Sequence, residues 1–172
     1  MKSIRLSVLI LLAISAEAAV FVVPSDEELI QQSAGIVVGV AGEAFSRQEP
    51  GRGIETVTRV EVVERLRGQS VGRTIEVVSP GGVVGDLGLL VPGAAKFRRG
   101  ERVLLFLDLT ERGDWTPRGM TLGKFAFESS RLERAEVCGF DNNGNAHLER
   151  SRSAEAFLRY VRERVRGREA SA

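Results

Sequence analysis

The sequence predicts a mainly β, α+β fold: a small antiparallel barrel or sandwich, with a short helix in front and an amphipathic helix behind. Three observations predict it. Short valine-rich or alternating segments recur through the middle of the chain, Gly and Pro clusters separate them, and apolar residues fall at helical spacing only near the two ends. The length, 172 residues, suits one such domain.

The chain opens with Lys2 and Arg5, an apolar run from Leu6 to Ile14 and the small-residue pattern Ala16-Glu17-Ala18. This reads as a signal peptide over residues 1–18, cut after Ala18. The expectation is an exported protein, periplasmic or extracellular, with a single domain over 19–167 and a frayed tail over 168–172. No later segment is apolar for the roughly 20 residues that a membrane-spanning helix needs.

Ser25 followed by Glu28 has the spacing of a capping box, and Leu29 and Ile30 give the helix it starts a packing face. Gly35 to Ala41, "GIVVGVA", is β-branched and short, which predicts a buried strand. A turn over Gln48–Gly53 precedes a long alternating segment. There Ile54, Thr56, Thr58, Val60, Val62 and Leu66 fall on one face and Glu55, Arg59, Glu61, Arg65 and Arg67 on the other. Val57, Val63 and Glu64 break the alternation, which predicts a bulge or bend near Val63. Thr74–Val78 then returns as an antiparallel partner.

"SPGGVVGDLG", residues 79–88, carries four glycines. Pro80-Gly81-Gly82 reads as a turn, with Gly85 and Gly88 allowing positive φ or close packing. Val103–Leu107 is the most apolar run after residue 18, and both its faces should be buried, so it is expected to be central. Trp115–Leu122 and Lys124–Phe127 read as extended segments with a kink at Gly123. Leu132–Val137 is a weaker strand and Asp141–Asn145 a turn. Ala154, Phe157, Leu158, Val161 and Val165 recur at i, i+3, i+4, i+7 and i+11, with Ser153 placed to cap and Gly167 to stop the helix. Arg159, Arg162 and Arg166 fall on its outer face, and the stripe fits docking on the strands better than lying in a membrane.

Charge and motif spacing exclude several chemistries. Without residues 1–18 the chain carries 22 basic and 22 acidic side chains, so the basic excess that nucleic-acid binding requires is missing. Glycines 81, 82, 85 and 88 fit no dinucleotide-loop spacing, and an extended segment rather than a helix follows them. His147 is the one histidine, which rules out zinc sites built on paired imidazoles. No G-x-S-x-G elbow occurs. Asp141, Asn143 and Asn145 sit at calcium-loop positions 1, 3 and 5, but Ala146 and Arg152 stand where a Gly and a bidentate Glu are needed. Cys138, the one cysteine, reads as a small buried hydrophobe. No cofactor, metal or catalytic set is expected. The glycine-rich loop, with Gly81, Gly82, Gly85 and Asp86, is the candidate partner surface, because it holds more glycine than turning requires.

The stretches "FVVPSDEELIQQSAGIVVGVA", "ETVTRVEVVERLRG", "VVSPGGVVGDLGLLVPGAAKFRRGERVLLFL" and "MTLGKFAF" together resemble an uncharacterised module of exported bacterial proteins. In some of these it precedes a zinc-metalloprotease domain. At fold level the order of "IVVGVA", "TRVEVVERLRG" and "GERVLLFL" is similar to the oligonucleotide/oligosaccharide-binding (OB) barrel of netrin-like domains and tissue inhibitors of metalloproteases. Those inhibitors chelate zinc through an N-terminal cysteine and are stapled by disulfides. This chain has only Cys138, so the resemblance carries the barrel and not that mechanism. The expected role is a non-enzymatic binding or accessory module contacting a protein partner, with a secreted protease among the candidates. The alternatives are an exported hydrolase using acidic residues or Cys138, or a structural envelope component.

Overall fold

A computed structural model of the chain describes residues 23–140 and 146–170. The fold is mainly β with two helices. Its first element, α1 (Asp26–Gln32), starts at the expected capping box: Ser25 Oγ accepts from the Glu28 amide, and the Glu28 carboxylate accepts from the Ser25 amide at 2.7 Å. Leu29 and Ile30 are buried.

Three strands form an antiparallel meander, β1 (Gly35–Glu49), β2 (Gly53–Arg67) and β3 (Thr74–Pro80). β1 is twice as long as its apolar run predicts. Its polar half, Ala44–Glu49, is extended because the tight turn after Glu49 zips it against Gly53–Thr58. The expected irregularity near Val63 is present: Val38 pairs with Glu64 and Gly39 with Val62, so Val63 is the extra residue of a bulge, and it points into solvent. Of the two other register shifts in this pair, the one between Ile36 and Val37 leaves Leu66 as an extra residue on β2, and the one between Ala41 and Ala44 places an extra residue on β1.

After the glycine-rich segment, β6 (Arg102–Leu109) pairs with β1, with β7 (Trp115–Pro117) and with β8 (Lys124–Glu128). The glycine-rich segment itself supplies β4 (Gly82–Val84) and β5 (Leu87–Leu89), a separate two-stranded sheet. β7 also meets β3 in parallel at Val77 and Trp115. The large sheet continues through β9 (Arg131–Phe140) to β10 (Ala146–Ser153). Residues 118–123, expected to be extended, instead turn through Gly119 and Met120 at positive φ into a 3-10 turn over Met120–Gly123. Gly123 serves a close approach rather than a kink, since a Cβ there would lie 2.6 Å from the Arg118 carbonyl and 2.7 Å from that of Phe106.

β6 is central, as its composition predicts: Val103 to Leu107 are fully buried on both faces. Its alternate residues divide between two cores. Val103, Leu105 and Leu107 join Val37, Val60, Ile75, Val77 and Trp115, a cluster enclosed by β1, β2, β3, β6 and β7. Leu104 and Phe106 join Ile36, Val38, Phe125 and the helices.

The second core is closed by α2 (Ala154–Glu169), whose N-cap Ser153 accepts from the Ala156 amide. Ala154, Phe157, Leu158, Val161 and Val165 are all buried. Phe157 sits 5.4 Å from Phe125 and 6.3 Å from Phe106, centroid to centroid. Gly167 does not stop the helix; α2 runs through it to Glu169, and Arg168 donates to the Gln31 carbonyl at 2.9 Å. Arg162 clamps Glu64 on β2 with two bonds of 2.8 Å, and Arg152 on β10 clamps Asp26 of α1. Among the described residues no helix is long and apolar enough to cross a membrane.

Candidate binding site

The period of two that builds the inner core also builds the site. On β2 the core residue Val60 is followed, toward the β1–β2 turn, by Thr58 and Thr56 on the same face; on β3, Ile75 and Val77 are followed by Ser79. Across the register, Ala44 lies opposite Thr58 and Ser46 opposite Thr56. The sequence therefore swaps large aliphatic side chains for small and hydroxylic ones at one end of the enclosed cluster. The inner core stops short there.

The segment Gly81–Phe97 folds over that end. Gly81 donates from its amide to the Ile54 carbonyl at 2.8 Å, and Thr56 Oγ1 donates to the Gly81 carbonyl at 2.7 Å. Ser46 Oγ accepts from the Val83 amide at 3.2 Å and lies 3.1 Å from Thr56 Oγ1. Gly81 and Gly82 take φ of 95° and 140°, a region that side chains avoid. A Cβ on Gly82 would also lie 2.6 Å from Thr56 Oγ1. These two glycines are where the hairpin docks. Gly85, at φ 58°, occupies the first position of the two-residue turn, as a II′ hairpin turn requires.

Between the hairpin, the Ala94–Phe97 segment and the strand ends lies a cavity of about 660 Å³. Ala44, Thr56, Thr58 and Ser79 line it from the sheet; Val83, Leu89, Leu90 and Val91 line it from the hairpin side; Ala94 to Phe97 complete it. Lys96 is its single charged residue, exposed and without an ion-pair partner among the described residues. Ser79 is 3% exposed, and its Oγ has no hydrogen-bond partner among the described residues. The lining contains no carboxylate, histidine or cysteine. What this wall can do is bury apolar surface beside a single cation.

The hairpin also leaves apolar surface in solvent, at the cavity rim and at its tip. Leu90 is 78% exposed and Val83 67%, and Leu87 is also exposed. Of the four residues singled out in the sequence, Gly81 and Gly82 line the cavity, whereas Gly85 and Asp86 form the hairpin tip away from it. Sequence reasoning missed the hydroxyl floor. Thr56, Thr58 and Ser79 read there only as alternation, and the signal that could have found them is that alternation passing from aliphatic to hydroxylic at one end.

Beside the cavity, Glu55 is buried although the alternation placed it on the polar face. It is compensated: Arg47 reaches it at 2.7 Å, Arg112 at 3.6 Å and Arg52 at 4.0 Å. Hydrogen bonding to Glu55 pushes the Arg47 guanidinium above its ordinary pKa. With Glu49 and Asp114 these residues tie the β1–β2 turn to the loop between β6 and β7.

Cys138 and His147 lie on β9 and β10, opposite Leu148 and Gly139 in the register; their side chains fall outside the described ones. Asp141–Asn145, and with it the calcium-loop comparison, lies outside the described residues. Among the described residues no group of three or more His, Cys, Asp or Glu side chains is placed to hold a metal ion.

No protein-family model matches this chain, and no curated protein matches it significantly.

Proposed function

We propose that this chain is an exported, non-enzymatic binding module that contacts a protein partner, with a secreted protease among the candidates, through the β4–β5 hairpin. The observation that carries this reading is the hairpin itself. Val83, Leu87 and Leu90 stand in solvent on an element pinned to the sheet at Gly81 and Val83. Soluble monomers rarely leave such a patch uncovered, and a rigid apolar projection binds with little ordering cost.

The scaffold in this proposal is an OB-like barrel. Supporting it, the pairings run β1-β2-β3-β7-β6 and back to β1, with the parallel step at Val77 and Trp115. Export rests on the basic, apolar and small-residue pattern of residues 1–18.

The test uses the chain from Ala19 onward, tagged, incubated with the periplasm or culture medium of its source. A specific protein should be retained by the native chain and lost by Asp86→Lys/Leu87→Asp, a double change at the hairpin tip that leaves the cavity lining intact. Equal retention by both, or nothing above a tag-only control, would overturn the reading.

A further inference from the structure

We propose that the cavity beneath the hairpin is a binding site for a small amphipathic anion: an apolar body with one oxygen-bearing, negatively charged head. This goes beyond the protein-contact reading, which shares Val83 and Leu90 with the cavity rim but is tested at the tip residues Asp86 and Leu87, outside the lining.

Three observations carry it. The cavity, about 660 Å³, falls within the range of sites that enclose small organic ligands. Its walls are mostly apolar, with Leu89, Val91 and Phe97 among the lining residues. Its polar complement is sparse: the hydroxyls of Thr56 and Thr58 on the floor and one charge, the Lys96 ammonium, which has no ion-pair partner among the described residues. Lys96 selects the sign of the head, because no carboxylate in the lining could receive a cation. A purely apolar ligand would leave the Lys96 charge unanswered, and a strongly polar one would waste the walls.

The glycines belong to the same device. Gly81 and Gly82 hold the hairpin against the sheet at its foot, through backbone conformations and approaches that a side chain would block. They fix the depth of the roof over the space. Gly88, on β5, contributes no side chain to the wall it lines.

The probe is monomeric dodecanoate, titrated into the chain from Ala19 onward by calorimetry, with dodecanol and dodecyltrimethylammonium as neutral and cationic counterparts. Saturable one-to-one binding of dodecanoate is expected, with the trimethylammonium compound excluded. Lys96→Gln should weaken dodecanoate about three- to five-fold, the scale of one exposed charge pair, while leaving dodecanol unchanged. Ala94→Phe, which fills the cavity, should abolish binding of both. Because Ala94→Phe could disturb the fold, Lys96→Gln gives an independent reading on an exposed side chain. No saturable binding by the native chain, equal binding of all three head groups, or unchanged affinity in Lys96→Gln would overturn the proposal. Association with phosphatidylglycerol vesicles in place of the monomer would overturn the free-ligand assignment. A partner protein captured by an intact hairpin tip would survive any of these failures, so the two proposals fail separately.

Discussion

The helix α2 and the hairpin β4–β5 are two covers laid on one sheet, and they use their apolar residues in opposite ways. Every residue of the α2 stripe is buried, against Phe106, Phe125, Ile36 and Val38. The hairpin is as apolar, yet it roofs a cavity with part of its surface and exposes the rest. A helix stripe at period 3.6 has one face to satisfy, and the chain supplies its partner. A two-stranded ribbon of three residues a side has two faces, and this chain fills neither. The difference separates residues that hold the fold from residues free to bind.

The largest expected effect lies on the helix side. Phe157 touches both Phe106 and Phe125, and Phe157→Ala should cost about 3–5 kcal/mol, the range for deleting a buried aromatic. A urea-unfolding midpoint would check it. Leu90→Ser on the hairpin should stay within about 0.5 kcal/mol, as exposed substitutions do. Similar losses for the two would end the distinction between the covers.

A smaller effect is expected at the hairpin's foot. Gly82→Ala forces a Cβ toward Thr56 Oγ1 at a φ of 140°, a strain of about 1–3 kcal/mol. The hairpin is pinned there by only a few hydrogen bonds, so undocking is cheaper than unfolding. Amide exchange should rise at Val83 and Gly88 and stay slow at Val103–Leu107. Uniform acceleration across β6 would show that the hairpin is part of the folding core.

How much of this was legible in the sequence follows the same division. Ser25 with Glu28, Val103–Leu107, the Val63 bulge and the α2 stripe were readable because each is a local signal that its own neighbours satisfy. The polar half of β1 was not, since Ala44–Glu49 is extended by what β2 offers it rather than by its own composition. The turn at Gly119 and Met120 depends on backbone conformations that no pattern marks. Of the site, Gly81 and Gly82 were legible as glycines needing special backbone conformations, but the turn expected at Pro80-Gly81-Gly82 lies instead at Gly85-Asp86, because Gly81 and Gly82 carry the chain from β3 into β4. The hydroxyl floor, the Lys96 cation and the burial of Glu55 were not, because each arises where distant segments converge.

The smallest effect tests whether acid loosens the two covers equally. Glu64 on β2 is held below the ordinary carboxylate range, first by its hydrogen bonds from Arg162 and then by the charges of Arg162 and Arg102, with burial opposing. Glu28, hydrogen-bonded to the Ser25 backbone and hydroxyl, and Glu27, hydrogen-bonded chiefly to Gln31, are lowered as well. All three belong to the helix side. A carboxylate whose folded pKa is depressed stabilises the fold above its unfolded value, about 4.3, and that contribution is lost as pH falls through the lower folded value. The Glu64–Arg162 pair is about a third exposed, so solvent screening holds its share to about 1 kcal/mol or less. Glu64→Gln should therefore be slightly less stable than the native chain at pH 7 and indistinguishable from it well below pH 4. Amide protection factors in α2 should fall on acidification before those in the docked foot of the hairpin do. A stability gap between Glu64→Gln and the native chain that persists unchanged at pH 2 would show that the clamp acts through packing rather than charge.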